Sequence, residues 1–151
     1  VFSPDGTKVM YVRKLNGRRS IWVVNADGSQ AHQVTSGFVF ASAAWAPDSR
    51  RIAVAAFPAS KGVTQLFIVR SSGGKRRGVP HVSNPTTALA WTPNGRWITY
   101  GGLDGTIWRI RPTGADRKQL GKISNHEIRR LLWSPDGQHL AYGALTREES
   151  D

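Results

Sequence analysis

The segment LLWSPDGQHLAYG, residues 131–143, decides how this chain is read, because it has relatives at three other places. An aromatic residue, a small or hydroxyl residue, Pro, Asp or Asn, and Gly or Ser recur as Phe2-Ser3-Pro4-Asp5-Gly6, Trp45-Ala46-Pro47-Asp48-Ser49, Trp91-Thr92-Pro93-Asn94-Gly95 and Trp133-Ser134-Pro135-Asp136-Gly137. Their prolines stand 43, 46 and 42 residues apart. A period in that range marks an array of like units.

Each copy enters an alternating stretch: Lys8-Val9-Met10-Tyr11-Val12, Arg51-Ile52-Ala53-Val54-Ala55, Trp97-Ile98-Thr99-Tyr100-Gly101 and His139-Leu140-Ala141-Tyr142-Gly143. Short β-branched and aromatic runs behind Pro-Asp-Gly predict strands behind tight turns. Pro presets φ, Asp bonds the backbone two residues on, and Gly takes positive φ at no steric cost. Asp5, Asp48 and Asp136 are therefore turn formers before they are anything else.

A further strand is expected at Ile21-Trp22-Val23-Val24, Leu66-Phe67-Ile68-Val69 and Ile107-Trp108-Arg109-Ile110. A turn and a more polar strand follow it, around His32-Gln33-Val34, Arg76-Arg77-Gly78-Val79 and Arg117-Lys118-Gln119-Leu120. Ahead of each Trp stands Ser42-Ala43-Ala44, Ala88-Leu89-Ala90 or Arg130-Leu131-Leu132. Two of these three are small and apolar, as an innermost strand crowded near an axis requires. Four antiparallel strands per unit of about 40 residues is the pattern of a propeller blade. The fold class is thus all-β: a β-propeller of four-stranded antiparallel blades, here an incomplete ring. The recurrent aromatic, Phe2, Trp45, Trp91 or Trp133, is expected to close the inner strand and pack between neighbouring blades.

The expected units are a truncated first blade over 1–37, a second over 38–83, a third over 84–124 and the start of a fourth over 125–151. They hold thirteen strands, three blades and one strand over. Propellers close with about four to eight blades, so the chain is expected to be a piece of a longer propeller. In a rarer arrangement two copies pair head to tail, the inner strand of one completing the truncated first blade of the other.

These residues resemble the TolB-type WD40-like (PD40-type) propeller repeat, through Trp-Ser-Pro-Asp-Gly, an Ile-Ala-Tyr-like strand, an Ile-Trp-Val-like strand and an Asp-Gly turn before a basic strand. The resemblance runs over nearly the whole chain. It departs at Ser49, at Asn94 and at the turn Ser71-Ser72-Gly73-Gly74. It implies a periplasmic or cell-envelope scaffold, a propeller gating a prolyl-oligopeptidase-like hydrolase, or a sensor domain, and fold alone does not choose among them.

Composition bounds the chemistry. No run of 18 apolar residues exists, and no Cys, which excludes disulfides and thiolate metal sites. The first residue lies inside a repeat, so nothing follows about a signal peptide. The net charge is +11 from 21 Lys and Arg against 10 Asp and Glu, and no carboxylate lies between Asp48 and Asp104. Arg50, Arg51, Lys61, Arg70, Lys75, Arg76, Arg77 and Arg96 fill that interval, which reads first as a solvated basic surface and second as an attraction for polyanions.

No Gly-x-Ser-x-Gly elbow is present. Ser3 and Ser134 are expected to bond local backbone, and the four His carry no metal-ligand spacing. The pairs Gly73-Gly74 and Gly101-Gly102 have no phosphate-loop context. The expectation is a chain with no catalytic, metal or cofactor site and no cofactor. Specific nucleic-acid binding is not expected either, because the aromatics fall on inner strands rather than among the charges.

What remains is a non-enzymatic module that presents loops to a protein or peptide, with a hydrolase-gating propeller as the alternative. Loops on a rigid scaffold usually carry function. The candidate contacts are Phe38 and Phe40, which lack an obvious strand partner, and Asn125, His126 and Glu127. Closing the ring calls for the remaining blades or a second copy.

Overall fold

A computed structural model describes residues 1–58, 63–82, 85–123 and 126–146, and it is all-β over them. The first blade holds β1 (Lys8–Leu15), β2 (Arg18–Asn25) and the first part of β3 (His32–Trp45). The rest of β3 opens the second blade, followed by β4 (Arg51–Pro58), β5 (Gln65–Arg70) and β6 (Arg77–Gly78). The third blade is β7 (Pro85–Trp91), β8 (Ile98–Gly102), β9 (Thr106–Ile110) and β10 (Lys118–Lys122). The last part is the pair β11 (His126–Trp133) and β12 (Leu140–Thr146).

Every pairing is antiparallel, and each blade is a meander from inner to outer strand. The main departure from the expected layout is β3. It serves as outer strand of the first blade and inner strand of the second, so the division expected after residue 37 falls inside a strand. Gly37, with φ near 92°, and a bulge between Phe38 and Phe40 turn the chain from one blade to the next. Ahead of β1, an isolated antiparallel bridge joins Phe2 and Val9 on the inner side of the first blade.

The alternation of each strand sorts its side chains onto two faces. On β4, Ile52, Val54 and Ala56 face the first blade, where they meet Met10, Ile21, Val23, Phe38 and Trp45. Ala53 and Ala55 face the other way, into a second core with Ile98, Tyr100 and Ile110 of the third blade. Ala88, Ala90 and Ile107 then join Ile128 and Leu131 in a third. The core is therefore three slabs between blades rather than one globule.

Trp45, Trp91 and Trp133 sit at matching places in these slabs. The Trp45 indole donates to the Val1 carbonyl at 3.2 Å and that of Trp133 to Thr99 Oγ1 at 3.0 Å. The Trp91 indole N–H is buried with no acceptor among the described residues. The repeat explains the difference. Six residues after the turn proline stands Thr99 in the third blade, and Ala53, with no hydroxyl, in the second.

The two ends of the chain expose what the interior buries. Tyr100 is fully buried, while Tyr142 at the same repeat position is 53% exposed, because among the described residues its strand β12 pairs with β11 alone.

Candidate functional site

An antiparallel blade has two ends. One carries the turns from first to second strand and from third to fourth; the other carries the second-to-third turns and the connections between blades.

At the turn end the acids serve the backbone. Asp5 Oδ1 accepts from the Thr7 amide at 3.0 Å and the Ser3 hydroxyl at 2.6 Å, and Asp136 Oδ1 accepts from the Gln138 amide at 3.0 Å and the Ser134 hydroxyl at 2.5 Å. Asn94 does the same with the Arg96 amide at 3.0 Å and Thr92 at 2.8 Å. Asp48 Oδ1 takes the amides of Arg50 and Arg51 at 2.9 and 3.0 Å.

Donors to a carboxylate favour its charged form. The Ser3 hydroxyl, then the Thr7 amide and hydroxyl, lower the Asp5 pKa to about 2. The Ser134 hydroxyl lowers Asp136 in the same way, and those of Ser29 and Thr106 lower Asp27 and Asp104. At Asp48 burial pulls upward most strongly, yet the Arg50 amide together with the Arg51 guanidinium and amide outweighs it. Ser3 and Ser134 also accept from the amides of Lys8 and His139 at 3.0 and 2.9 Å, so neither hydroxyl is free for chemistry.

The connection end is different. Leu15, Val39, Val63, Leu103 and Leu145 are all exposed, and all fall at this end, spread over the four units. Gly105 shapes it locally: at φ near 78° it comes so close to residues 123 and 126 that an added Cβ would lie 2.0 Å from the Ile123 carbonyl oxygen. Ile123 in turn donates its amide to Gly105 O at 3.0 Å, which fixes the entry to β11.

The five residues expected as contacts separate here. Phe38 is a correction: it is wholly buried, 5.5 Å from the Phe67 ring, and pairs in register with Arg19 and Pro58. Its neighbour Val39 faces solvent. Phe40 pairs along β3 with Phe57. Asn125 lies outside the described residues. His126 and Glu127 open β11, half-buried, with Glu127 held 3.0 Å from Arg129.

Two larger cavities lie among the described residues. The inner strands line an axial cleft of about 710 Å³, where small residues such as Ser42, Ala44, Ala88 and Ala90 alternate with Trp45, Trp91 and Trp133, and Arg129 and Arg130 stand at the last blade. A larger cavity of about 810 Å³ lies on the outer side of the second blade, beside the start of β5 and around β6. Leu66, Phe67, Val79 and Val82 form its apolar wall, and Arg76 and His81 its polar one. Sequence reasoning missed it, because nothing in the repeat announces that β6 has only two residues.

The charges are also less free than composition suggests. Arginines cap aromatic faces: Arg13 over Trp22 at 5.4 Å, Arg51 over Trp91 at 5.1 Å, Arg109 and Arg111 over Trp97 at 4.4 and 4.5 Å, and Arg117 over Trp108 at 3.7 Å. Such contacts contribute roughly 0.5–1 kcal/mol each at exposed sites. The expectation that aromatics stand apart from the charges is corrected for Trp22, Trp97 and Trp108, but the caps occupy faces on which a base would stack. Among the described residues no group of three or more His, Asp or Glu is placed to hold a metal ion.

The family model of the WD domain, G-beta repeat, matches residues 74–108, the span from the outer strand of the second blade through the third strand of the next. Among solved structures, a TolB-like protein from Agrobacterium tumefaciens is similar at 19% identity with a TM-score of 0.79, over 99% of this chain and 55% of that one. TolB from Acinetobacter baumannii is similar at 22% identity with a TM-score of 0.78, over 93% of this chain and 36% of that one. A prolyl endopeptidase structure matches at 19% identity and a TM-score of 0.63, over 85% of this chain and 22% of that one. The chain thus spans about half the length, or less, of the structures it matches, and at these identities the likeness is one of fold. The match, the period and the blade geometry agree on the fold: the chain is an array of four-stranded β-propeller blades, similar in fold to TolB, with a WD-repeat match over residues 74–108.

Proposed function

We propose that the chain is a non-enzymatic interaction module that offers the connection end of its blades to a protein or peptide. The observation that carries this is the placement of Leu15, Val39, Val63, Leu103 and Leu145, five exposed aliphatic residues at the connection end and spread over all four units, whereas Val1, Phe2 and Leu132, also exposed, lie at the turn end of the first and last units only. Single exposed apolar residues need no explanation, but a set that shares one end of a rigid scaffold marks an interaction surface. The turn end, by contrast, is built from Pro, Asp, Asn and Gly whose polar groups are satisfied locally. The resemblance to TolB supports placing the module in the cell envelope.

Panning a phage-displayed peptide library on the immobilised chain tests the reading. Selected peptides are expected to lose affinity for a Val39→Ser, Leu103→Ser variant and to keep it for a variant altered at Thr7 and Ala26 on the turn end. Peptides indifferent to the first variant and lost with the second would overturn it.

A second reading, a propeller that filters substrate for a hydrolase, draws on the fold shared with a prolyl endopeptidase. The full gene separates the two: a Gly-x-Ser-x-Gly elbow encoded elsewhere in it favours the hydrolase partner.

A further inference from the structure

The third blade holds its outer arginine at two points. Arg117 lies over Trp108 at 3.7 Å, and its Nε donates to the Tyr100 hydroxyl at 2.8 Å. The second blade repeats this arrangement with one part missing. Arg76, just ahead of β6 as Arg117 is just ahead of β10, lies over Phe67 at 5.4 Å and over Phe38 at 5.5 Å. Phe67 pairs across the sheet with Val54 as Trp108 pairs with Tyr100, so Val54 stands where the hydroxyl would be. The Arg76 guanidinium has its aromatic floor and no hydrogen-bond acceptor or carboxylate among the described residues.

Its surroundings sharpen the point. Arg76 borders the cavity of about 810 Å³ on the outer side of this blade, together with Leu66, Phe67, Val79 and Val82. The cavity opens beside a short outer strand: β6 pairs with β5 at Phe67–Gly78 and Ile68–Arg77, and the Val79 amide donates to Leu66 O at 2.9 Å. Lys75, Arg77 and His81 are exposed close by in the chain, and no acid occurs anywhere from residue 49 to residue 103. A planar fork fixed on an aromatic floor matches a carboxylate in two-point geometry, and the apolar wall matches an aliphatic or aromatic neighbour.

We infer that this cavity binds an extended peptide segment in which acidic residues alternate with apolar ones, one carboxylate seated on Arg76 and an apolar side chain against Leu66 and Val79. The inference rests on the interaction-module reading and names the partner's chemistry. A phosphate backbone shares the negative charge but has no apolar group for the wall, so the peptide is the better fit.

The test is fluorescence anisotropy with the 151-residue chain and three labelled probes: a short peptide alternating Glu and Leu, its Gln-for-Glu counterpart, and single-stranded oligodeoxythymidine. The Glu peptide is expected to bind more tightly than the other two. Arg76→Gln should weaken it by at least about tenfold, as loss of charge-assisted hydrogen bonds does, and Arg76→Lys should restore only part. Arg96→Gln removes the same charge on the neighbouring blade and should leave affinity within about twofold, as expected of an exposed charge. Thermal melts of each variant separate lost binding from lost folding. Equal losses in Arg76→Gln and Arg96→Gln would overturn the site, as would tighter binding of the oligonucleotide. If the Glu peptide binds, ignores Arg76→Gln and is lost with Val39→Ser, Leu103→Ser, the cavity assignment fails while the interaction module stands. If peptides selected on the chain act at its turn end, the module reading fails as well.

Discussion

The hydrogen bond from the Trp133 indole to Thr99 Oγ1, at 3.0 Å, ties the last unit to the third blade across an apolar slab. Replacing Thr99 by Val keeps the side chain's shape and removes the acceptor. Thr99 is fully buried, so no water replaces the hydroxyl from its side, whereas Trp133 is only half-buried. The lost bond costs about 0.5–1.5 kcal/mol net, and an indole N–H left dry adds about 1–3 kcal/mol. Partial access of Trp133 to solvent places the sum near the low end, at about 1–2 kcal/mol. For a chain of this size that is a fall of about 2–8 °C in the melting midpoint. The assay is urea denaturation of wild type, Thr99→Val, Trp133→Phe and the double variant. A coupling energy of about 1 kcal/mol is expected, since residues in one hydrogen bond are non-additive. Additive losses within about 0.3 kcal/mol would refute the role given to this bond. The second blade supplies the mirror experiment. There the Trp91 indole lacks an acceptor and Ala53 holds the position of Thr99, so Ala53→Ser should raise stability or leave it unchanged where a polar group placed in a core ordinarily lowers it.

Trp91→Ala, which empties the slab between the second and third blades, should lower unfolding free energy by about 3–5 kcal/mol; an unchanged urea midpoint with lost ligand binding would assign Trp91 to a site instead. The acid limb of stability follows from the turn carboxylates. Asp5, with its pKa lowered from 3.8 to about 2, and Asp27, Asp48, Asp104 and Asp136, shifted in the same direction, contribute stability that is present above their unfolded values and lost as pH falls through the folded ones. The melting midpoint should therefore fall between about pH 4 and pH 2, and a flat profile there contradicts it. The purified chain should hydrolyse neither peptide nor ester substrates; turnover abolished by one point substitution within it would show otherwise. Binding to polyanions should be weak, indifferent to sequence and steeply salt-dependent, so a preference between two unrelated duplexes that survives physiological salt would promote nucleic acid to a partner.

The repeat made the blades legible because each turn proline fixes a register, and strand positions counted from it carried over from unit to unit. Tyr11, Val54, Tyr100 and Tyr142 are seven residues past their prolines and share one face of their blades. The same counting placed Asp5, Asp48 and Asp136 in turns, and their bonds to amides two residues on follow directly. What the repeat could not show was departure from itself. The shared strand β3 arises because the connection at Gly37 is short enough for hydrogen bonding to run on from blade to blade, which buried Phe38 rather than presenting it. The outer cavity arises because residues 71–80 spend their length on turns and Pro80 instead of a full outer strand. Arginine on aromatic faces joins residues far apart in sequence, as with Arg76 on Phe38, and no local pattern encodes it.

Amide hydrogen exchange on the free chain bears hardest on the stacked-blade architecture. β4, β5 and β8 are buried on both faces between neighbouring blades, while β1 and β12 have one face open to solvent. The slowest amides are expected in Ile52–Ala56, Leu66–Val69 and Ile98–Gly101, with β1 and β12 exchanging well ahead of them. Protection in β1 or β12 equal to that in β4 and β8 would contradict a core laid down as slabs between successive blades.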